Sequence, residues 1–285
     1  MLGDIQYLVL QGGGIRCAWQ AGFVAALERE RPIRPSAISA VSASSAVACA
    51  IVCRRLEFAV NCFKAAIEGN KKNIYLTRGL RGGRIFPHAE IYRSALLRAF
   101  DQTALEKLYR GPDIQVLVTR TSKRLPKYPG LLIGLSLYAL EALRTRQVYR
   151  RFGARFGFYK EFISMKKCAT PDELADLVLA SSCTPPVTPW YSLDGRPVLD
   201  GGLCESVPLS GLPEKEGKTL VLLTTKGTTI NRSPGIVYAE PSQDLPMASW
   251  DYTDAGKIDY LYAIGKKDGS AFLGTTKMRQ TFIEG

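Results

Sequence analysis

The sequence predicts an α/β fold, a three-layer α/β/α domain on a mainly parallel central sheet. Short apolar runs alternate with longer stretches of helical spacing from the first residues onward. Those runs are apolar throughout rather than alternating in and out, so both of their faces are covered. The 285 residues are 46% hydrophobic and 22% charged, an ordinary globular balance with enough chain to bury one large core.

The elements follow in order. "IQYLVL" (5–10) is a buried strand that runs into a glycine loop. "RCAWQAGFVAALERE" (16–30) has helical spacing and ends before the breaker "RPIRPS". "AISAV" (37–41) is a second strand, and "SSAVACAIVCRR" opens a helix expected to run to about residue 67, since no glycine or proline interrupts it. "DIQVLVTRT" (113–121), "RPVLDGG" (196–202) and "TLVLLTTK" (219–226) supply further strands, with Asp194-Gly195 as a hairpin turn before the second of them. "TPDELADLVLASS" (170–182) carries its own start signals: Thr170 as N-cap, Pro171 at N1 and two acids in the first turn. "DAGKIDYLYAIGKKDG" (254–269) is a last helix, expected to stop at its glycine. No linker or repeat appears, so residues 1–285 read as a single domain. The glycine-rich stretch 78–86 and a basic, partly apolar stretch at about 120–167 read as excursions, the latter a cap-like insertion.

The formal charge is +12, and +10 of it lies between Arg120 and Lys167, where twelve cations face only Glu141 and Glu161. Such a concentration suits an anionic partner or a solvated basic surface. Its centre, "GLLIGLSLYALEAL" (130–143), is too short to span a bilayer. Between basic flanks it can seat at an anionic interface, or it can be a core helix. No nucleic-acid motif accompanies the charge, and no nucleic-acid partner is expected. Seven scattered cysteines and a single histidine, His88, give no metal-ligand spacing and point to a reducing compartment. The N-terminus has no signal-peptide pattern. A cytoplasmic protein, peripheral to a membrane, is the expectation. His88 reads as a helix cap or surface residue.

Three stretches can carry chemistry. "QGGGIRCAWQAG" (11–22) places three glycines between a buried strand and a helix, where bare N–H groups can face a ligand. A dinucleotide fingerprint would need glycine where Cys17 stands. The other use is an oxyanion hole, which needs a nucleophile nearby. Ala40-Val41-Ser42-Ala43-Ser44 has the small neighbours at −2 and +2 that a strained strand-to-helix serine requires, although serine among alanines also suits simple helix packing. Asp200, at the end of a strand and before two glycines, completes the set, with a plain turn as its other reading.

Together and in this order, the Gly12-Gly13-Gly14-Ile15-Arg16 loop, the Ser42 elbow and Asp200-Gly201-Gly202 resemble the patatin-like phospholipase family, as does the approach "LADLVLASSCTPPVTPWYSLDGRPVLDGGLCESVPL". The resemblance spans nearly the whole chain and is weakest over about 70–165. It implies a lipid acyl hydrolase of the phospholipase A or esterase type, with Ser42 and Asp200 as a catalytic dyad. Backbone N–H groups of Gly12, Gly13, Gly14 and Ile15 would line an oxyanion hole, and Arg16 would brace the loop or meet a substrate phosphate. It implies a phospholipid or other acyl-lipid substrate, peripheral contact with an anionic membrane, and no cofactor or metal. The departures are Cys17, Ala40 and Ser44 in place of glycines. They leave a catalytically weak or non-catalytic lipid-binding relative as the alternative. Because each is small, glycines at 40 and 44 are expected to leave the fold intact and to keep or raise activity.

Overall fold

The computed structural model describes residues 5–30, 32–121, 158–213, 217–228 and 234–281. The stretch 130–143 and most of the expected insertion lie outside them. The described ends of that insertion, Arg120–Thr121 and residues 158–167, belong to the sheet and to a 3-10 turn that follows it.

Among the described residues, eight strands form one mixed sheet: β1 (Ile5–Leu10), β2 (Ala37–Val41), β3 (Asp113–Thr121), β4 (Phe158–Ser164), β5 (Tyr191–Leu193), β6 (Arg196–Asp200), β7 (Lys218–Leu222) and β8 (Ile236–Ala239). The order is β5-β6-β3-β2-β1-β7-β8, with β4 also on β3. The run β3-β2-β1-β7-β8 is parallel, and β4, β5 and β6 join it antiparallel. Strands β1, β2 and β7 are unbroken apolar runs of the sequence, β8 was not foreseen from it, and helices flank the sheet.

Between β1 and β2 lies α1 (Cys17–Glu30). Between β2 and β3 come α2 (Ser44–Cys53), α3 (Leu56–Ile67), α4 (Leu76–Leu80), α5 (His88–Ala99) and α6 (Gln102–Arg110). The single helix expected over 44–67 is therefore two. Arg54 turns left-handed at φ 54°, and the amides of Arg54 and Arg55 close back on the carbonyls of Ile51 and Ala50 at 3.1 and 2.9 Å. The break redirects the chain so that Leu56, Cys62 and Ile67 reach the core. No breaker residue marks it, because packing rather than propensity sets it. The helix α7 (Pro171–Ser181) starts as expected, with Thr170 Oγ1 accepting the Glu173 N–H. Asp194 and Gly195 both have positive φ and close the β5–β6 hairpin.

The last helix, α8 (Gly256–Thr281), runs on past Gly269, where it was expected to stop. Gly265 and Gly269 face α1: a Cβ at either would overlap the carbonyl oxygen of Trp19 or Phe23, and one at Gly22 would overlap that of Tyr262. Their smallness lets the two backbones approach, and Trp19 Nε1–H donates across the contact to Asp268 Oδ2 at 2.7 Å. Among the described residues no helix is long and apolar enough to cross a membrane.

Gly265→Ala should lower stability by about 1–3 kcal/mol, since its methyl must push two helices apart. Gly274→Ala, on the same helix with open space around it, should be neutral or slightly stabilising. Thermal melts of the two variants check this; equal melting temperatures would contradict the packing role.

Candidate active site

Ser42 follows the last residue of β2, and its backbone is left-handed at φ 58°. For a side-chain-bearing residue this conformation costs about 1–3 kcal/mol. The neighbours hold it there. Ser181, at the end of α7, accepts the Ser42 N–H on its Oγ at 2.7 Å and donates to Leu117 O on β3 at 2.7 Å. Ser44 does more than stay small. Its Oγ accepts the Val41 N–H at 3.0 Å and lies 2.9 and 2.8 Å from the carbonyls of Leu10 and Val41, to one of which it donates. It ties the ends of β1 and β2 to the first turn of α2. Ala40 is fully buried in the core.

Asp200 reaches Ser42 by register. One edge of β3 is taken by β4 along its length. The other is shared end to end, with Val41 of β2 opposite Leu117 and Asp200 of β6 opposite Val118. The residue just after Val41 therefore abuts Asp200. Ser42 Oγ–H donates to Asp200 Oδ2 at 2.7 Å. The Gly202 N–H donates to Oδ1 at 2.7 Å, Thr119 Oγ1 donates to the Asp200 carbonyl at 2.9 Å, and the Asp200 amide donates to Cys183 O at 2.7 Å. Gly201 must lack a side chain, because a Cβ would run into Leu117 O and Val41 Cγ2. Burial pushes the Asp200 carboxyl up to about 6, against the lowering effect of its bonds from Ser42 and Gly202.

The glycine loop lies over this pair. A Cβ on Gly12 would sit 3.4 Å from Ser42 Cβ, and Gly14, at φ 58°, has Ser249 where a side chain would be. The loop is anchored by Gln20 Nε2 on Gln11 O at 2.9 Å and by Thr224 Oγ1 on Gly12 O at 2.8 Å. Of the four amides expected in an oxyanion hole, two are already engaged. Gly12 N–H donates to Ser206 O at 3.2 Å and Ile15 N–H to Ser249 O at 3.1 Å. Gly13 and Gly14 have no amide acceptor among the described residues. Arg16 bonds Gly13 O at 3.3 Å and Ser249 Oγ at 2.7 Å, both bracing contacts. It does not line the cavity at Ser42. Cys17 is buried at the start of α1, and its thiol is pushed up to about 12 by that burial.

A small cavity opens at Ser42, lined also by Gly14, Ser182, Thr188, Tyr92 and His88. His88 is thus neither a cap nor on the surface. Its Nε2 lies 2.8 Å from Trp250 O, and its ring packs on Tyr252 at 4.7 Å. A carbonyl accepts, so Nε2 carries the proton, and Nδ1 is buried without a partner among the described residues. Burial lowers the His88 pKa, which keeps the ring neutral. Sharing Gly14, Ala43, Tyr92 and Tyr252 with this mouth is a second, apolar cavity of about 80 Å³, walled by alanines such as Ala18, Ala21, Ala46, Ala50, Ala95 and Ala99. Sequence reading missed Ser181, Ser182 and the alanine wall. The small-residue runs were visible, but nothing local tells a wall from a core.

Two expectations follow. Asp200 is protonated more readily folded, at about 6, than at its ordinary value of 3.8. Between those values the folded state holds the extra proton, so stability is full below about 4 and falls as pH rises through 6. Asp200→Asn should therefore raise stability at pH 7–8 by about 1–3 kcal/mol, with the gain gone below pH 4; melting curves across pH test this. Ser44→Gly should cost about 1–3 kcal/mol, because it strips bonds from buried backbone groups, whereas Ala40→Gly removes one methyl. The sequence expectation was an intact fold with glycines at both positions. Chemical denaturation of the single variants decides, and a Ser44→Gly protein as stable as the parent would contradict the bonding role of its hydroxyl.

Residues 8–212 match the family model described as Patatin-like phospholipase, a span that holds the glycine loop, Ser42 and Asp200. No curated protein matches the chain. Among solved structures, VipD from Legionella pneumophila is similar at 12% identity and a TM-score of 0.40, over 93% of this chain and 67% of that one. The type III effector protein ExoU is similar at 14% identity and a TM-score of 0.37, over 95% of this chain and 53% of that one. The chain thus spans about two thirds and about half of those two proteins. With the family match covering more than two thirds of its length, the chain belongs to the patatin-like phospholipase family.

Proposed function

We propose that the protein is a lipid acyl-ester hydrolase in which Ser42 is the nucleophile and Asp200 its base. The observation that carries this reading is the buried 2.7 Å bond from Ser42 Oγ–H to Asp200 Oδ2. The only histidine is held on Trp250 O. A base with a pKa of about 6 suits neutral pH: it is ionised there, yet basic enough to take a proton in the transition state.

Ser42 Oγ would attack the acyl carbonyl carbon while Asp200 takes its proton. The amides of Gly13 and Gly14 would stabilise the oxyanion, each such donor being worth about 10²–10³ in rate, aided by the N-terminus of α2. Asp200 would then return the proton to the leaving alcohol, and a water would hydrolyse the acyl-enzyme by the same route. The alanine-walled cavity beside Ser42 suits an acyl chain, since it offers apolar surface and almost no hydrogen-bonding partners. Arg16 would hold the loop rather than the substrate.

A fluorophosphonate probe should label the wild type at Ser42, and Ser42→Ala and Asp200→Asn should each lower ester turnover by about 10³-fold or more. The rate should fall as pH drops through about 6, because protonated Asp200 cannot accept the serine proton. Mass spectrometry of the labelled peptide and a pH–rate profile read both. Label on another serine, or turnover unchanged in Ser42→Ala, would overturn the assignment. A folded wild type that neither labels nor turns over would be the lipid-binding relative.

A further inference from the structure

Residues 69–86, between α3 and α5, carry a surface that the site leaves unused. Leu80 is 88% exposed, Leu76 71% and Ile74 49%. Leu76 and Leu80 lie one turn apart on α4 and project from the same side of it. Around them stand Lys71, Lys72, Arg78, Arg81 and Arg84, all exposed, with no aspartate or glutamate between Gly69 and Ala89. Arg78 forms a long ion pair with Glu90 at 3.7 Å. Large aliphatic side chains offered to solvent among cations mark a surface built to meet something.

The segment is also joined to the rim of the site. It closes on itself through Tyr75 N–H to Ile85 O at 2.8 Å and Gly83 N–H to Arg78 O at 2.9 Å. Asn70 Nδ2–H donates to Tyr252 O at 2.7 Å, Tyr252 N–H donates to Asn73 Oδ1 at 3.0 Å, and Asn73 Nδ2–H donates to Asp251 Oδ1 at 3.2 Å. Tyr252 and its neighbour Trp250 line the cavity at Ser42. So do His88 and Ala89, into which the segment leads.

We propose that residues 69–86 are the surface by which the protein docks on an anionic lipid bilayer, bringing the mouth beside Ser42 to its substrate. The cations would meet headgroup phosphates, and Ile74, Leu76 and Leu80 would enter the acyl boundary, the pairing that interfacial segments use. Exposed leucines without exposed stacking aromatics favour a bilayer over a nucleic acid. The proposal rests on the acyl-hydrolase reading for its purpose but not for its test.

The test uses the full chain carrying Ser42→Ala, so that lipid is not consumed and loss of turnover cannot imitate loss of docking. Sedimentation with phosphatidylcholine vesicles, with and without phosphatidylglycerol, should show binding only when phosphatidylglycerol is present, weakening as salt is raised. Arg78→Gln with Arg81→Gln and Arg84→Gln should weaken it about 10²-fold, at about fivefold per cation. Leu76→Ser with Leu80→Ser should weaken it at least about tenfold. Both variants should keep the parent's melting temperature, because the side chains are exposed. Parent protein that ignores phosphatidylglycerol, variants that bind as tightly as the parent, or an oligonucleotide that displaces the vesicles would each overturn the proposal.

Discussion

One edge of β3 serves two strands in succession, and the site depends on that sharing. β2 occupies the edge as far as Leu117, and β6 takes it over at Val118 from the opposite direction. The two strands meet nearly end to end, so the residue leaving one and the residue closing the other must touch. Those residues are Ser42 and Asp200. A slip of one residue in β6 would turn Asp200 to the other face of the sheet. Several contacts prevent the slip. Arg120, buried in β3, donates to the carbonyls of Leu193 and Arg196 on either side of the hairpin turn, each at 2.9 Å, and pairs with Glu161 on β4. Gly201 admits the chain against Leu117, and Thr119 fixes the Asp200 carbonyl.

What this junction gathers is unfavourable taken alone. A carboxyl is desolvated, a serine is left-handed, and a loop is bent through Gly14. Each cost is local, and each is met by a group from elsewhere in the sequence. Ser181 meets the Ser42 amide from the end of α7, and Ser42 meets the Asp200 carboxyl from the end of β2. Ser249 meets Ile15 and Arg16 from the segment before α8. Because these groups come from separate elements, the strained geometry exists only in the folded chain, held before any ligand arrives.

Much of this was legible in the sequence where one residue type answers one local demand. The runs at 5–10, 37–41, 113–121 and 219–226 gave β1, β2, β3 and β7 but not β8, Thr170-Pro171 gave the start of α7, and Asp194-Gly195 gave the hairpin. The glycine loop, Ser42 and Asp200 were legible as an ordered set. What stayed hidden depends on distant partners. Arg54 breaks a helix because Leu56 must reach the core. Gly265 and Gly269 continue a helix because α1 lies against them. His88 looked like a cap beside Pro87, and only the packing of Trp250 and Tyr252 buries it. Ser181 and Ser182 read as the end of a helix, since nothing near them names the elbow they face.

The missing glycines show the same division. A glycine in a motif answers either a backbone angle or a close approach, and each departure can be set against those two demands. Cys17 stands where the backbone is right-handed, at φ −63°, so no angle excludes a side chain, and its thiol packs beneath the loop. Ala40 and Ser44 flank the strained position without sharing its positive φ, so a small Cβ fits, and Ser44 adds bonds that a glycine could not make. The angular demand falls on two residues, Gly14 and Ser42, both at φ 58°. Gly14 remains glycine because a side chain would collide with Ser249. Ser42 bears the strain with its side chain in place, because only there can a hydroxyl meet Asp200 across the junction on β3.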